Sequence, residues 1–517
     1  MNRKLAFKGE IEKAYKFEGP SLILGGAMFE KECIESLHIQ IPLKTLNRHG
    51  LISGATGTGK TKTLQIMAEQ LSIHSIPVLV MDVKGDLSGI AKDSDGHPKI
   101  DERHEKIGLP FIPDNSPVEF LSLSDEKGVR LRATISEFGP ILFSKILNLN
   151  ETQQSIVAVI FKYCDDHSLP LLDLKDFKKT LQYFTGQGKS NLESEYGRVS
   201  TASMATIMRK IIELEQQGAE LFFGERSFEV DDLLRFDEGG KGIVSIVRLT
   251  DIQDRPNLFS TFMLQLLAEI YTSFPEEGDL ERPKLVLFID EAHLIFDTAA
   301  RALLDQIEAI IKLIRSKGIG IFFVTQNPVD IPDPILAQLG LKIQHSLRAF
   351  TAKDRKAIKL AAENFPLTKY YNVDQVIMEL GIGESLITVL DEKGRPTPLV
   401  RTMMRAPQSR MDVLTPAEIN YIVRASSLIE KYNQQIDRES AYEILSKKIQ
   451  IAQEEQRQAE LIKQGEAASR PTRQTSKRSS GRKSTLEKAI DDTTKTLGRT
   501  LAKEITRGLL GILGGKR

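Results

Sequence analysis

The sequence is short of several things at once. It has only two cysteines, Cys33 and Cys164, far apart and without metal-ligand spacing, which fits a reducing compartment and excludes a disulfide scaffold. It has no net charge: 70 Lys and Arg balance 70 Asp and Glu. No global field therefore draws it to nucleic acid or membrane, and any such binding must come from local patches. It lacks any window of about 18 consecutive apolar residues, so no transmembrane helix is expected. Its first residues, "MNRKLAFKGEIEKAYKFEG", lack the apolar core of a secretory leader. No internal repeat is visible. The expectation is a soluble cytoplasmic protein.

What is there is length and patterned apolar residues. With 517 residues, 41% of them hydrophobic, the chain can build two to four units. Residues 1–45 read as a short β-rich segment that packs on the core downstream of it, with "LILGG" and "LHIQIPL" as apolar runs. From Gly50 the pattern is strand, glycine loop, helix, strand: "GLIS", "GATGTGK", "TKTLQIMAEQLS", "PVLVMDV". That is a βαβ unit, the seed of a parallel sheet. Residues 46–137 are assigned to the first part of this core and 138–235 to an all-helical insertion. In the insertion, Ser200 is placed to cap the helix that Gly218 ends. The core resumes over 236–415 with "GIVSIVRL", "KLVLFID", "GIGIFFVTQ", "KIQHSL" and "SLITVL", several apolar throughout, as in a sheet covered on both faces. Residues 416–468 read as charged helix. Residues 469–484 carry Arg470, Arg473, Lys477, Arg478, Arg482 and Lys483 with no acid, and read as a disordered linker that could also neutralise nucleic-acid phosphates. Residues 485–517 regain one apolar helical stripe, read as an amphipathic latch between subunits, with a membrane surface as the alternative. The fold class is α/β: a P-loop NTPase core with a mostly parallel sheet, a helical insertion and a helical, partly disordered tail.

Gly54, Ala55, Thr56, Gly57, Thr58, Gly59, Lys60 and Thr61 fit G-x-x-x-x-G-K-[ST] at every fixed place. Glycines let the loop curl so that its amides, Lys62 included, face phosphate oxygens, and the following helix adds its positive end. Lys60 reaches the β- and γ-phosphates, and the Thr61 hydroxyl takes a place on Mg²⁺. By residue frequencies such a match arises by accident in on the order of one per cent of chains this long. The second half of an NTPase site is a carboxylate ending an apolar strand, and "KLVLFIDEAH" supplies it. Asp290 is the candidate metal ligand and Glu291 the candidate base for the attacking water. The alternative, an Asp-Glu pair that only caps the next helix, leaves two adjacent acids after an apolar strand unexplained. Gln326, ending "GIFFVTQ", can report on the γ-phosphate or be a solvated strand-end glutamine. "DEAH" invites an RNA-helicase reading, but no S-A-T or Q-x-x-G-R-x-G-R segment accompanies it. His293 then reads as an ordinary helix-start residue.

Together, "RHGLISGATGTGKT", "VLVMDVKGDLSGI", "PKLVLFIDEAHLIF", "IRSKGIGIFFVTQNPVDIPDPILAQLGLKIQHSLRAF" and "ITRGLLGILGG" resemble the HerA-like ATPases of the FtsK–HerA superfamily, in a bacterial helicase branch. The resemblance implies a RecA-like sheet, ATP and Mg²⁺ as ligands, a homo-oligomer that is usually a hexamer, and double-stranded DNA as cargo. It also implies an arginine supplied by the neighbouring subunit. Arg315 and Arg348 are the candidates, each also readable as a surface ion-pair partner. "DVKGDL" sits where the family carries an Asp-x-His-Gly-Glu-Tyr-like segment: Asp82 and Asp86 match its acidic places, and Lys84 replaces the histidine. Archaeal members dock a nuclease through an N-terminal barrel. Here fewer than fifty residues precede the strand into the cradle, which argues against a nuclease partner. The alternative function is an ATP-gated assembly or secretion-type ATPase acting on protein clients.

Overall fold

The continuous apolar runs become strands because both faces of the sheet they form are covered. In the computed structural model, residues 3–468 are described, apart from 252–254, 279, 297–300, 435 and 437. The basic linker and terminal stripe expected over 469–517 lie outside the described residues. Twelve strands make one sheet: β1 Ser21–Phe29, β2 Glu32–Pro42, β3 Gly50–Ser53, β4 Val78–Asp82, β5 Val118–Ser122, β6 Val129–Arg130, β7 Val244–Arg248, β8 Leu285–Ile289, β9 Ile319–Thr325, β10 Leu341–Gln344, β11 Glu384–Thr388 and β12 Val400–Met404. Their order is β2-β1-β12-β11-β10-β3-β9-β8-β4-β7-β5-β6. From β10 to β6 every pairing is parallel, and from β10 to β2 every pairing is antiparallel.

Alternation along the strands separates two cores. Leu285, Leu287 and Ile289 of β8 join Ile319, Ile321 and Phe323 of β9 on one face, with the helices of the insertion. Val286 and Phe288 join Phe322 and Val324 on the other face, with Leu64, Met67 and Leu71 of the helix Lys60–Ile73. The insertion begins with the helix Ile135–Ile146, whose turns are broken at Gly139. Helices Glu151–Asp166, Leu174–Thr185, Lys189–Tyr196 and Thr201–Gln216 come next. Reciprocal caps at Thr134/Glu137, Asn150/Gln153 and Asp173/Asp176 fix three of their starts. Ser200 caps the last, accepting from the Ser203 amide, and Gly218 follows its end at a φ of +83°.

Two features differ from the sequence reading. Residues Arg3–Ala14 are a helix rather than strand and turn. Phe7 and Ile11, four apart on one face, bury it, with Tyr15 just beyond. The rest of that segment joins the core by continuing the main sheet, because β1 pairs with β12. Second, β3 and β4 of the βαβ unit are not neighbours: β9 and β8 stand between them. Residues Met1–Ala452 form one compact unit; a second starts at Gln453 and is helical as far as it is described, to Ala468.

Candidate active site

The strand order sets the site. β3 ends in the glycine loop, β8 in the acid pair and β9 in Gln326, so three adjacent parallel strands present their carboxyl ends together. The loop is pinned between its neighbours. The Gly54 amide donates to Thr325 O at 3.3 Å and the Ala55 amide to Ser346 O at 2.8 Å. Gly59, at a φ of +114°, leads into the helix Lys60–Ile73. The Lys60 ammonium folds back onto Gly54 O at 2.7 Å and Ala55 O at 3.2 Å. Burial holds its pKa below the usual lysine value, with Lys84 adding to the fall and Glu291 and Asp290 opposing it. Thr61 is half-buried in the first turn. Lys62 turns its ammonium away, to Met411 O at 2.6 Å and Gln65 Oε1 at 3.0 Å, so only its backbone remains for the cradle.

Asp290 and Glu291 are both buried. Burial pushes Asp290 up to about 7, with Lys84 opposing and Glu291 reinforcing. Burial is the largest single influence on Glu291 and raises it, but the bond to Lys84 and the charges of Lys84 and Lys60 together hold it below the ordinary carboxylate value. Glu291 sits at a φ of +47°, a strained backbone for a side chain of its size. Gln326 bridges cradle and acid: Thr56 Oγ1 donates to its Oε1 and its Nε2 donates to Glu291 Oε1, each at 3.4 Å. Asp290 Oδ2 and Glu291 Oε2 are buried without a hydrogen-bond partner among the described residues. His293 opens the helix His293–Phe296 as expected, and also borders the site, its Nδ1 3.2 Å from Glu291 Oε2 but not aligned for a hydrogen bond.

The structure brings Lys60, Asp290, Glu291 and Gln326, the residues singled out in the sequence, to neighbouring strand ends. Sequence reasoning missed His345, which is fully buried under the loop. Its Nδ1–H donates to Glu384 O at 2.9 Å and its Nε2 accepts from Thr63 Oγ1 at 2.9 Å. Burial pushes its pKa down to about 4. A lone histidine ending an apolar run was the only signal. Asp82 acts locally. Its carboxylate accepts from the Gly85 and Leu87 amides at 2.8 and 3.3 Å, closing the turn after β4. Asp86 lies just past that turn, with one carboxylate oxygen buried and without a hydrogen-bond partner among the described residues.

The two arginines part company. Arg348 is exposed just beyond β10, at the cradle end of the sheet. Arg315 precedes β9, at the opposite end, and a seven-residue strand separates it from Gln326. That is about 20 Å, beyond the reach of any side chain. Arg315 lines a cavity of about 650 Å³ with Arg48, Lys312 and Lys342, against one acid, Glu363.

The residues fit a magnesium nucleotide. The unpartnered Asp290 oxygen and the Thr61 hydroxyl are hard oxygen donors beside the cradle. Among the described residues no group of three or more His, Cys, Asp and Glu could hold a metal unaided, so phosphates and water would complete the shell. No described helix is long and apolar enough to cross a membrane.

A family model described as helicase HerA-like C-terminal matches residues 30–517. The DNA double-strand break repair helicase HerA of Sulfurisphaera tokodaii is 23% identical over 363 residues, covering 68% of this chain and 64% of that protein. The DNA import protein CedB of Sulfolobus acidocaldarius is 26% identical over 305 residues, covering 58% and 44%. The chain thus spans less than two thirds of the length of these curated relatives. Among solved structures, the bacterial conjugative coupling protein TrwB, in its unbound monoclinic form, superposes with a TM-score of 0.53 at 14% identity, over 79% of this chain and 94% of that one. TrwB in complex with ADP and Mg²⁺ gives 0.50 at 14%, over 78% and 99%. At such identity the likeness is one of fold, that of a RecA-type P-loop protein with a large, mostly parallel sheet.

Proposed function

The chain belongs to the HerA-like helicase C-terminal family, and from that membership we propose that it is an oligomeric, Mg²⁺-dependent ATP hydrolase that moves double-stranded DNA. The observation that carries the hydrolytic part is the bridge from Thr56 through Gln326 to Glu291, which couples the phosphate loop to a buried carboxylate with one unpartnered oxygen. In this reading the loop amides and Lys60 hold the triphosphate. Glu291 takes a proton from water as the water oxygen bonds to the γ-phosphorus. The bond from that phosphorus to the bridging oxygen breaks, and its electron pair leaves on ADP. Asp290 and Thr61 would hold Mg²⁺, which when bound offsets phosphate charge. Gln326 touches both loop and base, and so can register the γ-phosphate.

Two observations support assembly and a DNA cargo. Arg315 sits too far from its own cradle to act there, in a pocket dominated by cations that suits a neighbour's phosphates. Curated relatives carry DNA repair and DNA import in their names. The test is ATP hydrolysis by the purified protein with and without duplex DNA, alongside its mass in solution. Stimulation by duplex, an oligomeric mass and loss of turnover in Lys60→Ala are expected. A rate indifferent to DNA but raised by a protein partner would select the client-protein alternative, which the absence of net charge favours.

A further inference from the structure

Glu291 is flanked by two strand tips, and the hydrolytic reading uses only one of its flanking side chains. On the β9 side stands Gln326. On the β4 side stands Lys84, the residue that departs from the family's histidine. The β4–β8 register aligns Met81 with Ile289, which brings Asp82 level with Asp290 and Lys84 just past Glu291. The chain then reverses at once. Asp82 caps the Gly85 and Leu87 amides, Gly85 has a φ of +74°, and a Cβ on Gly85 would stand 2.8 Å from Thr250 Cγ2. This turn directs Lys84 back across the strand tips, where its ammonium forms an ion pair with Glu291 Oε1.

The pair is unlike the protein's surface ion pairs. Lys84 is 35% exposed, but the Glu291 side chain is only 6% exposed. An exposed pair of this kind contributes little, whereas an ammonium on a buried carboxylate both fixes its position and offsets its burial. The two other basic side chains near it do not do this: Lys60 is turned onto the loop carbonyls, and the His293 ring is not aligned for a hydrogen bond. Lys84 and Gln326 both approach Oε1, whereas Oε2 makes no hydrogen bond among the described residues and has only the unaligned His293 Nδ1 near it, at 3.2 Å.

We propose that Lys84 is a positioning residue for hydrolysis, clamping Glu291 by Oε1 so that Oε2 faces the attacking water. The inference rests on the reading of Glu291 as the base. Lys84 itself touches neither nucleotide nor water. The proton moves from water to Oε2, the water oxygen bonds to the γ-phosphorus, and ADP leaves with the electron pair of the broken bridge. Lys84 keeps its protons throughout.

The test combines Lys84→Met, Lys84→Arg, Glu291→Gln and the double variant Lys84→Met/Glu291→Gln. Each is measured for kcat and KM of ATP hydrolysis and for the Kd of a fluorescent ATP analogue. Lys84→Met should lower kcat about tenfold to a hundredfold, as misplacing a reacting group does, with KM and Kd within about twofold of wild type. Lys84→Arg, which keeps the cation, should recover most of the rate. In the Glu291→Gln background, Lys84→Met should cost nothing further, because the clamp acts only through that carboxylate. The proposal is overturned if Lys84→Met turns over at the wild-type rate or faster. It is equally overturned if Kd weakens in step with kcat, which would make Lys84 a phosphate ligand, or if Lys84→Arg is as slow as Lys84→Met. A Glu291→Gln protein as active as wild type would instead remove the reading of Glu291 on which the clamp depends.

Discussion

Gly54 has no room for a side chain: at a φ of +154°, a Cβ there would stand 2.5 Å from the Cβ of His345. His345 cannot retreat, because it is bonded on one side to Thr63 of the following helix and on the other to Glu384 O. Gly54→Ala should therefore displace the loop and weaken nucleotide binding about tenfold or more, which titration with a fluorescent ATP analogue would read. An alanine that binds nucleotide normally would show the contact to be yielding. His345 and the equally buried His49 also set a pH dependence. Burial pushes each down to about 4, while an unfolded histidine titrates near 6.5. Between those values the unfolded chain binds a proton at each of these two sites that the native chain does not, so the stability these two sites contribute rises with pH there. It is fully present above about pH 6.5 and is lost as pH falls towards 4. Asp290 and Asp82, raised to about 7 and about 6, act in the opposite sense over the same window, so the quantity to read is the difference: His345→Gln should lower the slope of stability against pH by about one proton relative to wild type. An unchanged slope would mean that His345 does not carry the effect.

At the scale of elements, what was legible is what is encoded locally. Strands β3, β4, β8 and β9 announce themselves as apolar runs because both faces are covered. Strands β5, β6 and β12 are interrupted by Glu119, Arg130 and Arg401, and were not read as strands. Two of these charges are satisfied only by distant partners, Glu119 by Arg235 and Arg401 by Glu384, pairs that no local pattern displays. The same distinction divides the site. The cradle, the acid pair and Gln326 lie at strand ends with recognisable spacing. The contacts of Lys84 and His345 depend on which strands are neighbours, and the insertion of β9 and β8 between β3 and β4 is a fact of topology. The insertion's core can be tested separately from the site. Phe177 is fully buried, its ring 4.9 Å from that of Phe143 and 5.9 Å from that of Phe161. Phe177→Ala should cost about 3–5 kcal/mol, seen as a lower urea midpoint, while the folded protein keeps its nucleotide affinity. A matching loss of affinity would mean that the insertion supports the cradle directly.

At the scale of the whole molecule, the question is which cations serve which cradle. If the Arg315 pocket serves a cradle, as proposed above, the site is divided in a single chain, with the phosphate loop at one end of the sheet and Arg315, Arg48 and Lys342 at the other. It becomes whole only if copies stand so that one chain's pocket faces the next chain's loop. Closed head-to-tail association does this, since each subunit then uses a different surface towards each neighbour. Lys60→Ala and Arg315→Ala should then each abolish turnover alone, the first by emptying its own cradle and the second by failing the neighbour's. Mixed before assembly in equal amounts, they should regain activity, because an Arg315→Ala chain keeps a sound cradle and a Lys60→Ala chain beside it supplies the missing arginine. Random assembly makes roughly a quarter of the junctions sound in this way, so about that share of the wild-type rate is the expected ceiling. Arg348, exposed at the cradle end, provides the comparison: the same mixture made with Arg348→Ala should gain nothing. Recovery with Arg348→Ala and none with Arg315→Ala would assign the shared arginine to the cradle end of the sheet. An Arg315→Ala protein at full rate would leave each copy with a complete site of its own, and the basic pocket would need another occupant.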